Sequence, residues 1–162
     1  MKIFASGSLR AMEATGKAIK MFSSLYEIAY ELAERSRRCT RLKKVLISSA
    51  TNSSQIYSSL EAAMQLPCAI CCVGDIEYSD SDCDRTVRPV VVVADKFRPS
   101  LEKRSSEIWL LVEELSELLM DNSFSNFDFE VVSVTPVESD DKLVSAYALT
   151  LKYTEPSMEE KI

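Results

Sequence analysis

Cys68-Ala69-Ile70-Cys71-Cys72-Val73-Gly74-Asp75-Ile76-Glu77-Tyr78 and Arg85-Thr86-Val87-Arg88-Pro89-Val90-Val91-Val92-Val93-Ala94-Asp95-Lys96 decide how this chain of 162 residues folds. The first run is apolar from Cys68 to Val73 and then alternates. The second holds four consecutive valines, so both of its faces are apolar. β-branched runs of this length, separated by polar Ser79–Asp84, predict a β-hairpin with a long acidic tip. Pro89 has no N–H to give a ladder and predicts an edge strand or a bulge.

Helical and strand signals alternate on either side. Ala18, Phe22, Leu25, Ala29 and Leu32 recur at helical spacing, widened by Met21 and Ile28, and predict one helix from about Ala11 to Arg37. Lys43–Ser49 predicts a short strand. Ile56, Leu60, Ala63 and Met64 predict a helix over Ser53–Gln65, ended by Pro67. After the hairpin, Pro99 and Ser100 open a helix whose apolar face is Ile108, Leu111, Val112, Leu115, Leu118 and Leu119, ending near Asp121. Strands over Asp128–Val137 and Leu143–Thr154 follow. The order α-β-α-β-β-α-β-β implies a single α+β domain over 1–162. It has a mainly antiparallel four- to five-stranded sheet, helices on one face, and loose ends at 1–9 and 155–162.

Composition narrows the function. Apolar residues make up 46% and charged residues 27%, as in globular proteins. With no His, Ser-His-Asp and Cys-His catalysis and His-ligated metals are excluded. Three glycines, Gly7, Gly16 and Gly74, cannot build a glycine-rich phosphate loop. No apolar run reaches the roughly 20 residues of a membrane span. The N-terminus lacks the apolar core of a secretory signal, which predicts reduced thiols in a cytosol. The net charge of −6 is uneven: residues 1–45 hold 10 basic and 4 acidic side chains, and residues 46–162 hold 9 and 21.

Three constellations could carry function. Cys68 and Cys71 have C-x-x-C spacing. On a strand Cys68 and Cys72 share one face and Cys71 the other, and neither Cys39 nor Cys83 completes a ligand set. Packing is the expected role, with redox or metal use the alternative. Asp80, Asp82 and Asp84 imitate the start of a calcium loop, but Arg85 and Val91 stand where Gly and Glu are needed. With Asp75 and Glu77 the tip is strongly negative. A solvated turn is one reading, and a weak cation site or a contact for a basic surface the other. Arg35, Arg37, Arg38, Arg41, Lys43 and Lys44 put six positive charges into ten residues. A solvated helix end, a contact with the acidic hairpin of a neighbouring copy, and nucleic-acid binding are the three readings. The last lacks interleaved aromatics. Glu113, Glu114 and Glu117 fall on the polar side of their helix, and Trp109 on the margin of its apolar stripe.

Leu66-Pro67-Cys68-Ala69-Ile70-Cys71-Cys72-Val73-Gly74 resembles a strand of the tail-terminator proteins of long-tailed bacteriophages, particularly the Mu-type group. Val90–Phe97 is similar to their next strand, Trp109–Leu115 to their following helix, and Ala146–Leu151 to their closing strand. Lys44–Thr51 fits the lead-in, so the likeness spans about residues 40–154. It implies a structural, non-enzymatic part of a phage or prophage. That part is a homo-oligomeric ring, commonly of six subunits, capping the head-proximal end of the tail tube and stopping its polymerisation. Its partners would be the tube protein and head–tail connector proteins, with no membrane, no cofactor and no metal. DNA would pass through the ring without specific binding. It would be cytoplasmic during assembly and later part of the virion tail or a prophage-derived particle. The alternative is a small cytosolic α+β interaction module. An enzyme, resting on the cysteines alone, is the third reading.

Overall fold

A computed structural model describes residues 9–11, 19–52, 55–56, 65–79, 84–101, 108–138, 143–156 and 158–160. Along these run β1 (Leu9–Ala11), β2 (Ile19–Met21), α1 (Leu25–Arg37), β3 (Lys44–Ile47) and β4 (Cys68–Tyr78). Then come β5 (Asp84–Lys96), α2 (Ile108–Leu119), β6 (Glu130–Pro136), β7 (Val144–Pro156) and β8 (Met158–Glu160). The fold is α+β.

β4 and β5 pair antiparallel as their sequences predict. They sit at the centre of a five-stranded sheet of order β3-β4-β5-β7-β6. The sheet is mixed rather than mainly antiparallel, because β3 runs parallel to β4, with Lys44 opposite Cys68 and Ile47 opposite Cys71. Residues 48–67 separate these neighbours, enough chain to cross over and return to the same end, which makes adjacent strands parallel. Within that connection Asn52 accepts the Gln55 N–H on its side chain (3.0 Å) and the Ile56 N–H on its carbonyl (3.2 Å). Gln55 and Ile56 are helical; the rest of the expected 53–65 helix lies outside the described residues, apart from Gln65, which is not helical.

The element order also differs at the N-terminus. Instead of one helix from Ala11, the chain forms β1 and β2, and α1 starts only at Leu25. Ser24 caps it: the backbone there is extended, and the side chain accepts the Glu27 N–H at 3.4 Å. β2 pairs with β1 on one side and with β8, over 130 positions away, on the other. A local period cannot reveal a partner that distant. Nor is the tail after 154 loose throughout: β7 runs to Pro156, Glu155 is buried, and Met158–Glu160 joins this second sheet. α2 begins at Ile108; residues 99–101 are not helical, and 102–107 lie outside the described residues.

Pro89 lies in a central strand, not at an edge. Cys72 faces Val90 and Asp75 faces Arg88, so Val73 and Gly74 together oppose Pro89 in a bulge. Gly74 takes φ +72 there.

Both faces of the sheet's central part are buried. α1 and α2 pack Ile28, Leu32, Leu111, Leu115 and Leu119 onto Ala69, Cys71, Val91, Val93, Leu149 and Leu151. The other parity, Cys68, Ile70, Cys72, Val92 and Ala94, packs with Leu46, Ile56, Leu66 and Val144. Helical residues therefore touch both faces, where helices were expected on one.

Candidate functional site

The basic segment is not the free patch its spacing suggests. Arg35 is fully buried. Its Nε donates to Glu31 (2.8 Å), Nη1 to the Leu119 carbonyl (2.7 Å) and Asn122 Oδ1 (2.9 Å), and Nη2 to Ser125 Oγ (3.3 Å) and the Phe127 carbonyl (2.7 Å). All five donors of the guanidinium are thus used, and the Phe129 ring lies 4.9 Å beneath it. Arg35 ties α1 to the C-terminus of α2 and the loop that follows, and offers nothing to a partner.

Its neighbours are matched within the chain. Arg37 pairs with Glu34. Arg38 reaches Asp121 at 3.4 Å and lies over the Phe124 ring. Arg41 pairs with Glu114 at 3.1 Å, and the Cys39 thiol also points to Glu114. The Ser123 hydroxyl and N–H, with the Arg38 charge, hold the Asp121 carboxyl below its ordinary range. Among the described residues Lys43 and Lys44 alone of the six make no ion pair; Lys43 is exposed and Lys44 half-buried.

The hairpin keeps its acidic face. Asp75 and Glu77 are exposed, Glu77 within 3.4 Å of Arg88, and Asp84 is half-buried. Asp80, Asp82 and Cys83 lie outside the described residues. Tyr78, at 61% exposure, meets the Phe22 ring edge-on at 6.0 Å and lies on the strand face opposite Asp75 and Glu77. Arg85 turns inward, donating from Nη2 to Glu155 and to the Ser23 carbonyl, both at 2.7 Å. Glu155 also accepts the Ser23 N–H and the Tyr153 hydroxyl.

The cysteines sit as their parity predicts: Cys68 and Cys72 on one face, Cys71 on the other, all buried and free. Burial pushes the Cys68 thiol up to about 11 and the Cys71 thiol up to about 12. That is the opposite of an activated nucleophile. No group of three metal-ligating side chains is assembled among the described residues.

A surface that local patterning misses lies at the far end of β5. There Phe97, Leu101, Trp109 and Tyr147 line a groove of about 500 Å³, with Lys96 and Arg98 at its rim. Trp109 is 51% exposed and donates from Nε1 to the Tyr147 hydroxyl at 2.9 Å. Arg98 is held by Asp95 and by the Lys96 carbonyl, each at 3.2 Å. Leu143, 76% exposed, adjoins it through the Phe97 N–H to Leu143 carbonyl bond. The groove is built from the end of β5, the start of β7 and the start of α2, so no single stretch of sequence carries its signature. Exposed apolar groups gathered in this way mark interaction surfaces.

No protein-family model matches the chain, and no curated protein does. No helix among the described residues is long and apolar enough to cross a membrane.

Proposed function

We propose that this chain is a structural tail protein that forms a ring, commonly of six copies in such proteins, on the head-proximal end of a phage or prophage tail tube and stops its polymerisation. One observation supports this reading above others. The segments that resemble tail terminators fall on β4, β5, α2 and β7, and β4, β5 and β7 are adjacent strands of one sheet. The likeness therefore follows a contiguous unit of fold rather than scattered fragments. Buried, protonated thiols and exposed aromatic and charged ends suit a protein whose work is contact, not catalysis. Its partners are further copies of itself, the tube protein and the head–tail connector. It acts in the cytoplasm during assembly and then in the particle. Acidic side chains turned to the lumen would repel DNA phosphates and limit sticking.

Light scattering across a concentration series, with electron microscopy of the largest species, tests the ring. Closed rings that halt tube growth in an assembly mixture are the expected result. A chain that remains monomeric and leaves tube length unchanged overturns it. The groove beside Trp109 favours a second reading, a small interaction module taking a foreign partner. That reading predicts the monomer.

A further inference from the structure

We infer that Arg85 and Glu155 form a latch that holds both terminal segments of the fold on the five-stranded sheet and lets them open together, as one unit, while the rest of the fold stays closed. The latch lies within a single copy, so it stands apart from the ring reading.

Both terminal segments pass through one point. β1, β2 and β8 make a small sheet of their own, in which β2 takes β8 from the far end of the chain. Phe22 and Ser23 lead out of β2 towards α1, and Glu155 and Pro156 end β7 just before β8. Arg85 and Glu155 stand opposite each other in the β5–β7 ladder. Arg85 Nη2 donates to Glu155 Oε1 and to the Ser23 carbonyl, each at 2.7 Å, and the guanidinium lies 4.8 Å from the centre of the Phe22 ring. The Glu155 carboxylate accepts the Ser23 N–H at 2.9 Å on both oxygens. One buried ion pair therefore joins the two exits of the small sheet to each other and to β5.

Two further observations favour a separate opening. The small sheet and the five-stranded sheet share no strand, so they can part without breaking either ladder. Segments of that kind open with a free energy of their own, below that of global unfolding. The closed latch is also incompletely matched. Arg85 Nε is buried without a partner among the described residues, and opening returns this donor to water.

Native-state amide exchange, read by mass spectrometry on peptides over 19–23 and 155–160, tests this. In the wild type the slowest amides of β2 and β8 are expected to share one protection factor, roughly tenfold or more below that of the centre of β4 and β5. Glu155→Gln keeps the side-chain shape and gives up the charge. It is expected to lower protection in both strands by the same factor, roughly tenfold or more, with the centre of β4 and β5 still the slowest to exchange. Tyr153→Phe removes one donor from the carboxylate and is expected to lower both strands together by a smaller factor, so it decides the matter if the Gln variant does not fold. Terminal strands as protected as the sheet centre, or β2 and β8 protected unequally, overturn the latch. So does a change confined to one terminal strand or to Ser23, or no change in a folded variant.

Discussion

A Cβ on Gly74 would lie 2.1 Å from the carbonyl oxygen of Arg88 across the β4–β5 ladder. Two demands meet at this position. Pro89 gives the ladder no N–H, so the strands accommodate it with a bulge, and the bulge places Gly74 at φ +72. Gly74→Ala is expected to destabilise the protein by about 2–4 kcal/mol, combining left-handed strain with displacement of a backbone carbonyl. Gly74→Asn tolerates that φ better but carries the same Cβ, so it is expected to recover little. Urea unfolding of both variants checks this. A stability near wild type for the Asn variant would show that contact with Arg88 is not the controlling cost.

Arg35 gives the second prediction. If it were the surface charge its spacing suggests, Arg35→Ala would change stability by less than about 0.5 kcal/mol. Buried with every donor engaged, it is expected to cost about 3–5 kcal/mol, since two carbonyls lose a donor and the Glu31 carboxylate loses its countercharge and keeps only the Ser125 hydroxyl among the described residues. Arg35→Lys keeps the charge but not the planar fork, and is expected to restore less than half of that loss. Denaturant midpoints of the two variants decide the point.

The contrast between Arg35 and Arg38 shows where sequence patterning stops. Parity along a strand placed Cys68, Cys71 and Cys72 on their correct faces, because a strand's two faces follow from backbone geometry alone. The helical period likewise located Leu111, Leu115 and Leu119. The same period does not say which arginine near a helix end turns inward. That depends on the Leu119 and Phe127 carbonyls, 84 and 92 positions away. The spacing around β2 fits a helix for the same reason: its strand partner is Met158–Glu160. The groove was illegible because Phe97, Trp109 and Leu143 come from three segments, each of which alone looks like the margin of an apolar face.

Arg85 and Glu155 form a second buried charge pair, at 2.7 Å, roofed by Phe22 and joined to Ser23 and Tyr153. Glu155→Ala leaves the Arg85 charge uncompensated and is expected to cost about 3–5 kcal/mol. Arg85→Met should cost less, because the Glu155 carboxylate keeps the Ser23 N–H and the Tyr153 hydroxyl as donors. The double replacement Arg85→Met with Glu155→Leu removes both charges, and is expected to be more stable than either single variant. A double variant whose loss equals the sum of the two singles would show that the pair is not coupled. Removal of residues 155–162 is expected to be as damaging as Glu155→Ala, whereas a loose tail could be cut without effect.

The buried thiols make stability fall in alkali. Burial raises Cys68 to about 11 and Cys71 to about 12 from the ordinary 9.0, and burial with the nearby Glu155 carboxylate raises Tyr153 as well. Above about pH 9 an unfolded chain releases these thiol protons while the folded chain keeps them, so the folded state binds more protons and loses stability as pH rises. The contribution is fully present below pH 9 and is lost progressively as pH approaches the folded-state values. Each thiol adds about 1.4 kcal/mol per pH unit to the downward slope once its unfolded form is ionised. Urea unfolding in reducing buffer at a series of pH values from neutrality upwards measures that slope. Cys71→Ala is expected to lower stability at neutral pH through lost packing, yet to flatten the alkaline slope by about one proton's worth. The same burial predicts that Cys39, Cys68, Cys71 and Cys72 stay unmodified by a thiol reagent at neutral pH until denaturant is added. An unchanged slope in the Cys71→Ala variant, or rapid labelling of that thiol in the folded protein, would place Cys71 in contact with solvent and remove its part in the alkaline transition.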